Sequence, residues 1–228
     1  MPSIDSPLTF VATAPSTALV TRAPGRRAFA LLGLATLASG FAPHDRYTWA
    51  LEVLVLAVVY AGYMLVHTRW PALRPSARFS WLLFTYAFVM LIGAHATYGH
   101  ALPGEWLRAI LGLERNPWDR VGHLFQGAVP ALYVHERLSQ VGGSGVRRLA
   151  ATLAAGLAVA LFFEGAELVA AHFAADPAAF VQAKGDPFDS LCDVLFAGLG
   201  ALMVAALGWR FGRSPATRSE AGGPPDAE

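Results

Sequence analysis

Six apolar runs follow one another along this chain, at 28–42, 49–66, 80–98, 119–138, 149–173 and 189–211, joined by short connections that carry Pro, Gly and Arg. A barrel strand crosses a bilayer in ~9–11 residues, whereas a helix needs ~20, and most of these runs have the helical length. In lipid, only helices and closed barrels satisfy their own backbone groups. The pattern therefore predicts an all-α integral membrane protein, a bundle of six transmembrane helices. The first run is short for a span, and Arg22, Arg26 and Arg27 before it also fit a signal peptide. Its cleavage would leave the other five spans in the same orientation.

Composition agrees with this reading. The chain of 228 residues is 55% hydrophobic and 14% charged, with a mean hydropathy of +0.44; globular domains carry about 25% charged residues. Residues 1–24 and 214–228 read as disordered cytoplasmic tails that flank a transmembrane domain at 25–213. A formal net charge of +1 says nothing about nucleic acid, and none is expected as a partner. Cys192 is the single cysteine, so no intramolecular disulfide forms, and it reads as a small packing residue.

Orientation follows from the basic residues. Twelve lie in the N-terminal tail, the second and fourth loops and the C-terminal end, against five (Arg46, Arg108, Arg115, Arg120 and Lys184) in the first, third and fifth loops. Both termini are thus expected in the cytoplasm of a bacterial inner membrane, with the odd loops outside.

On that topology the intramembrane acids and histidines share one depth, the outer half. Glu52 opens the second span, and "GAHATYGH" puts His95 at the outer end of the third. The fourth span starts with Asp119, Arg120 and His123, the fifth carries Glu164 and Glu167, and the sixth starts with Asp189 and Asp193. Spacings of four (119/123, 189/193) and three (164/167) place each pair on one helix face. His67, His135 and Glu136 lie at inner ends, where they read as solvated or snorkelling. Five carboxylates with only Arg120 and Lys184 as fixed cations must be protonated, wet or neutralised by a bound cation, since a charge at mid-membrane costs ~2.5–3.5 kcal/mol on insertion scales.

Two segments echo each other. "NPWDRVGH" (116–123) and "DPFDSLCD" (186–193) both open inward-running spans, and each follows an outward span with polar residues at similar distance. This suggests a parallel duplication of a two-helix unit. Helix capping accounts for half of the echo: Asn116 and Asp186 suit the N-cap, Pro117 and Pro187 the first turn, and Asp119 and Asp189 the third position. His123, Asp193, Glu164 and Glu167 fall outside that account. They form either a polar knot that locks helix packing or a functional site.

"RNPWDRVGHLFQGAVPAL" (115–132), "FFEGAEL" (162–168) and "KGDPFDSLCDVLFAGLGAL" (184–202) resemble bacterial inner-membrane proteins of the YjdF type. The likeness covers roughly the C-terminal three-quarters of the chain, with departures at Leu168 and Lys184. A fainter similarity links the chain to VanZ-type envelope proteins. The resemblance implies a multi-span topology and picks out the same acids, but that family brings no established activity with it.

Three functions remain open on the residues. In the first, His123, Glu164, Glu167 and Asp193 bind a divalent metal such as Zn²⁺ or Mn²⁺, with His95 and Asp186 as additional candidates. Asp119 or Asp189 then orients His123 or serves as general base, and Arg120 holds a phosphate headgroup of a lipid or envelope substrate. The second is a transporter for an ion or small solute, although the inner halves "AGLGALMVAAL" and "AATLAAGLAVALF" contain no ionisable residue. The third is a non-catalytic membrane protein whose polar cluster fixes helix packing. The pattern sets no oligomeric state.

Overall fold

The structure, a computed structural model, describes residues 22–142, 144–173 and 188–211. Among these residues there are seven α-helices and no strand: α1 (Arg26–Ser39), α2 (Arg46–Arg69), α3 (Ala77–Ala96), α4 (Leu102–Leu111), α5 (Trp118–Val141), α6 (Gly145–Phe173) and α7 (Asp189–Phe211), with a 3₁₀ turn at Pro71–Leu73. The expected C-terminal tail, the expected N-terminal tail up to residue 21, and Asp186 with its capping role lie outside the described residues.

Four helices are long and apolar enough to cross a membrane: Arg46–Arg69, Ala77–Ala96, Gly145–Phe173 and the Asp189–Gly208 part of α7. At 14 residues α1 is short, and α5 is long enough but carries polar residues throughout. The two remaining expected runs are therefore helical, yet neither reaches the length and apolarity of the other four.

Helix ends follow local chemistry. Asp45 caps α2 by accepting the Thr48 N–H at 2.6 Å, and Ser76 caps α3 by accepting from Phe79 at 3.0 Å. The chain leaves α3 through two left-handed residues, Thr97 (φ 52°) and Tyr98 (φ 54°). That reversal folds the Tyr98 ring back onto Gly93, where a Cβ would stand 2.2 Å from the ring.

α3 and α5 form the middle of the bundle. Leu32 of α1 and Leu56 of α2 pack on Phe84, Ala87, Met90 and Leu91 of α3. Trp118, at the start of α5, donates its indole N–H to the Val89 carbonyl of α3 at 3.1 Å. On the other side α5, α6 and α7 approach backbone to backbone. A Cβ on Gly127 would lie 1.9 Å from the Ala197 carbonyl oxygen, one on Gly200 would lie 2.0 Å from that of Leu124, and Gly156 of α6 abuts both Ala201 and Gly127. Such closeness requires small residues, and in lipid it supplies the van der Waals contact that drives helix association. Large apolar side chains such as Leu34, Leu54, Phe162, Leu195 and Leu199 point outward and are exposed, which suits a surface solvated by acyl chains.

Sequence reading misses two features of this frame. α4 occupies the third loop, with Leu102, Trp106 and Ile110 exposed along one stripe. His135 is half-buried rather than snorkelling: its Nδ1 lies 3.3 Å from Thr152 Oγ1 of α6 and its ring packs on Gly208 of α7.

Candidate functional site

The parallel packing of α5 on α7 builds the site. Residues about 70 apart in sequence lie side by side: His123 by Asp193, Gly127 by Ala197 and His135 by Gly208. The echo between 116–123 and 186–193 has the same offset. The first two turns of both helices thus meet, and Arg120 sits between them.

Arg120 donates from Nη1 to Asp193 Oδ1 at 2.5 Å and to Asp119 Oδ2 at 3.2 Å, and from Nη2 to Asp189 Oδ1. Its side chain is 19% exposed and that of Asp193 is 6% exposed, so these pairs are shielded from water. Arg115, in the loop before α5, reaches Asp189 Oδ1 at 3.1 Å. This second cation has no signal along the chain, where nothing indicates that residue 115 meets residue 189. Lys184, the fixed cation expected along with Arg120, lies outside the described residues.

At the head of α5 the N-cap is Pro117, one residue later than expected, and Asn116 just before it accepts the Trp118 N–H on its Oδ1 at 3.0 Å. Its amide also holds Ala101 O at 2.9 Å and Glu105 Oε1 at 3.0 Å, which ties α4 to α5. The Asp119 carboxylate turns instead toward Arg120 and His123.

His123 is the centre of the arrangement. Its Nε2 lies 3.6 Å from Asp119 Oδ1, 3.6 Å from Asp193 Oδ1 and 4.0 Å from Glu164 Oε1 of α6. Those separations exceed hydrogen-bond length, about 2.7–3.2 Å for N–H···O. The two 3.6 Å separations match the edges of a ligand tetrahedron, roughly 3.3–3.6 Å when ligands stand ~2.0–2.2 Å from a divalent ion, and the one to Glu164 is longer. Asp119, His123 and Asp193 each offer a ligand atom within 4.8 Å of the others. Among the described residues, Glu164 Oε1, His123 Nδ1 and Gln126 Oε1 are buried without a hydrogen-bond partner.

The other expected residues distribute as follows. Glu167 lies one turn further out and lines the adjoining cavity without joining the grouping. His95 is exposed and binds the Ser39 carbonyl through Nδ1 at 2.9 Å, which pins α3 to the end of α1 away from the cluster.

The cluster forms one wall of a cavity of about 1120 Å³. Its opposite wall comes from α2 (Leu51, Glu52, Val55) and the α3 exit, where Tyr98 shares a hydrogen bond with Glu52. Glu52, Tyr98 and Gln126 were not expected as site residues. Glu52 alone gave a signal, an acid inside an apolar run at the same depth. At the outer rim the rings of His44 and His100 stack at 4.3 Å, each with Nδ1 near Thr97 Oγ1.

Residues 25–214 match the family described as "Predicted membrane protein (DUF2238)". The chain is 33% identical over 183 residues to the inner membrane protein YjdF of Escherichia coli (strain K12), an alignment covering 79% of this chain and 86% of that protein. No solved structure matches the chain. The YjdF-type resemblance read from three short segments thus extends over most of the sequence.

Proposed function

We propose, from the premise that the chain belongs to the DUF2238 family of predicted membrane proteins, that it is a six-span inner-membrane protein with a divalent-cation site in its outer half, serving an enzyme or binding protein for an envelope or lipid substrate. The topology is the positive-inside one: both termini cytoplasmic, with α1 and α5 completing the four strongly apolar helices. α5 tolerates its polar residues because the charged ones near its outer end turn toward α7.

One observation carries the cation reading. A buried histidine nitrogen stands 3.6–4.0 Å from three carboxylate oxygens, too far to bond them and near enough to share an ion with them. Asp119, His123 and Asp193 form the first set of ligands, and Glu164 completes it. Arg120 and Asp189 hold the two helix ends at the required spacing. A divalent ion bound there would supply Lewis acidity. Asp119, whose side chain is 30% exposed, also lines the cavity and would present the bound ion to a substrate there.

The test is metal analysis of the purified protein in detergent, wild type beside His123→Ala and Glu164→Ala. The reading expects a near-stoichiometric divalent ion in the wild type, lost in both variants, with a lower melting temperature in chelator. No ion and an unchanged melting temperature would leave the packing role. The salt bridges of Arg120 to three aspartates favour that second reading. Transport has less support, because the inner halves of α5, α6 and α7 are packed closely around Gly127, Gly156 and Gly200.

A further inference from the structure

The cavity beside the cluster has two chemically different parts. Six carboxylates line it (Asp45, Glu52, Asp119, Glu167, Asp189 and Asp193), and Arg115 is the one arginine among the described lining residues. Part of the remaining wall is apolar and is shared by two helices: Leu51, Leu54 and Val55 of α2, and Phe163, Ala166 and Ala170 of α6. Tyr47 Oη donates to the Ala170 carbonyl at 3.1 Å and bridges these helices near their outer ends. Beneath that bridge Leu54 of α2 and Ala166 of α6 line the cavity and are both exposed at the surface of the helices.

An apolar slot that ends in a polar chamber fits an amphiphile entering sideways, and the chamber's charge selects the head. Even with one divalent ion bound beside Arg115 and Arg120, the carboxylates remain in excess. The buried, unpartnered Gln126 Oε1, on a residue only 4% exposed that lines the chamber, needs a donor. A head of net negative charge would be repelled, whereas a zwitterionic head sets its ammonium charge against that of its phosphate. An ammonium brings a positive charge and three N–H donors.

From the acid-lined chamber and its lateral opening we infer that this cavity binds an amine-headed phospholipid, drawn from the outer leaflet between α2 and α6 with its ammonium among Glu52, Asp119 and Gln126. The inference rests on the reading that the cavity is the working site, and not on the cation.

Protein reconstituted into nanodiscs of equal ethanolamine- and glycerol-headed phospholipid, then released for native mass spectrometry, tests it. The expected result is retention of the ethanolamine lipid over the glycerol lipid by about five-fold or more in the wild type. That preference disappears in Ala166→Trp, which fills the opening, and falls in Gln126→Leu, while the metal content of Ala166→Trp equals that of the wild type. Equal retention of both lipids, a preference for the glycerol lipid, or an unchanged preference in Ala166→Trp overturns the inference. A wild type without metal that still prefers the ethanolamine lipid removes the cation reading alone; metal without lipid preference removes this one alone.

Discussion

Arg120 on α5 and Asp193 on α7 meet at 2.5 Å, 73 residues apart in sequence, and the same guanidinium reaches Asp119 and Asp189. This one cation joins the N-terminal ends of two parallel helices. Arg120→Met would leave two buried carboxylates short of their partner. Breaking a buried pair on one side costs about 3–5 kcal/mol, and a loss of that size is expected in SDS-induced unfolding. Arg120→Lys keeps the charge without the fork and falls between the two. A loss under 1 kcal/mol for Arg120→Met would refute the clamp.

Small residues set the distance between α5 and α7. Gly127→Ala would drive a Cβ to 1.9 Å from the Ala197 carbonyl oxygen, so the helices must part at a cost of about 1–3 kcal/mol. Gly165→Ala meets nothing within 4 Å and should stabilise by about 0.5–1 kcal/mol through the lost backbone freedom of glycine. Thermal unfolding of both variants in one detergent checks the opposite signs.

The Asp45 cap gives a pH-dependent term. Hydrogen bonding from the Thr48 backbone N–H holds its carboxyl below the ordinary value of 3.8. A depressed folded value means that the charged cap stabilises above pH 3.8, with the contribution lost as pH falls through the folded value. Asp45→Asn keeps an oxygen acceptor and removes the charge. The gap between wild type and variant, a few tenths of a kcal/mol for so exposed a group, should be full at pH 6 and shrink as pH falls below 3.8. A gap that widens on acidification contradicts the assignment.

Orientation is open to cysteine labelling. With Cys192→Ala as background, Leu113→Cys should react with an impermeant maleimide in intact cells. Ala72→Cys should react only after the membrane is opened. The reverse pattern would invert the proposed topology.

The helices were legible because each apolar run is long enough to specify one by itself. His123, Glu164 and Asp193 were legible for a related reason: ionisable residues in such runs stand out, and topology placed them at one depth. Arg115 and Gln126 gave no such signal. An arginine in a loop and a glutamine on a helix are unremarkable until α7 is laid beside α5, and that contact joins positions some 70 apart. His95 shows the opposite failure: it has the right depth, yet its face of α3 turns toward the end of α1, where its Nδ1 meets the Ser39 carbonyl. α4 escaped notice because its ten residues are too few for a span and its apolar stripe resembles an ordinary loop's.

Where α5, α6 and α7 touch through Gly127, Gly156 and Ala201, the chamber has a floor. On the proposed topology these contacts bar a path between the three helices, so a ligand of the chamber would have to leave by the side on which it entered. In that sense two glycines and an alanine make the site a cul-de-sac.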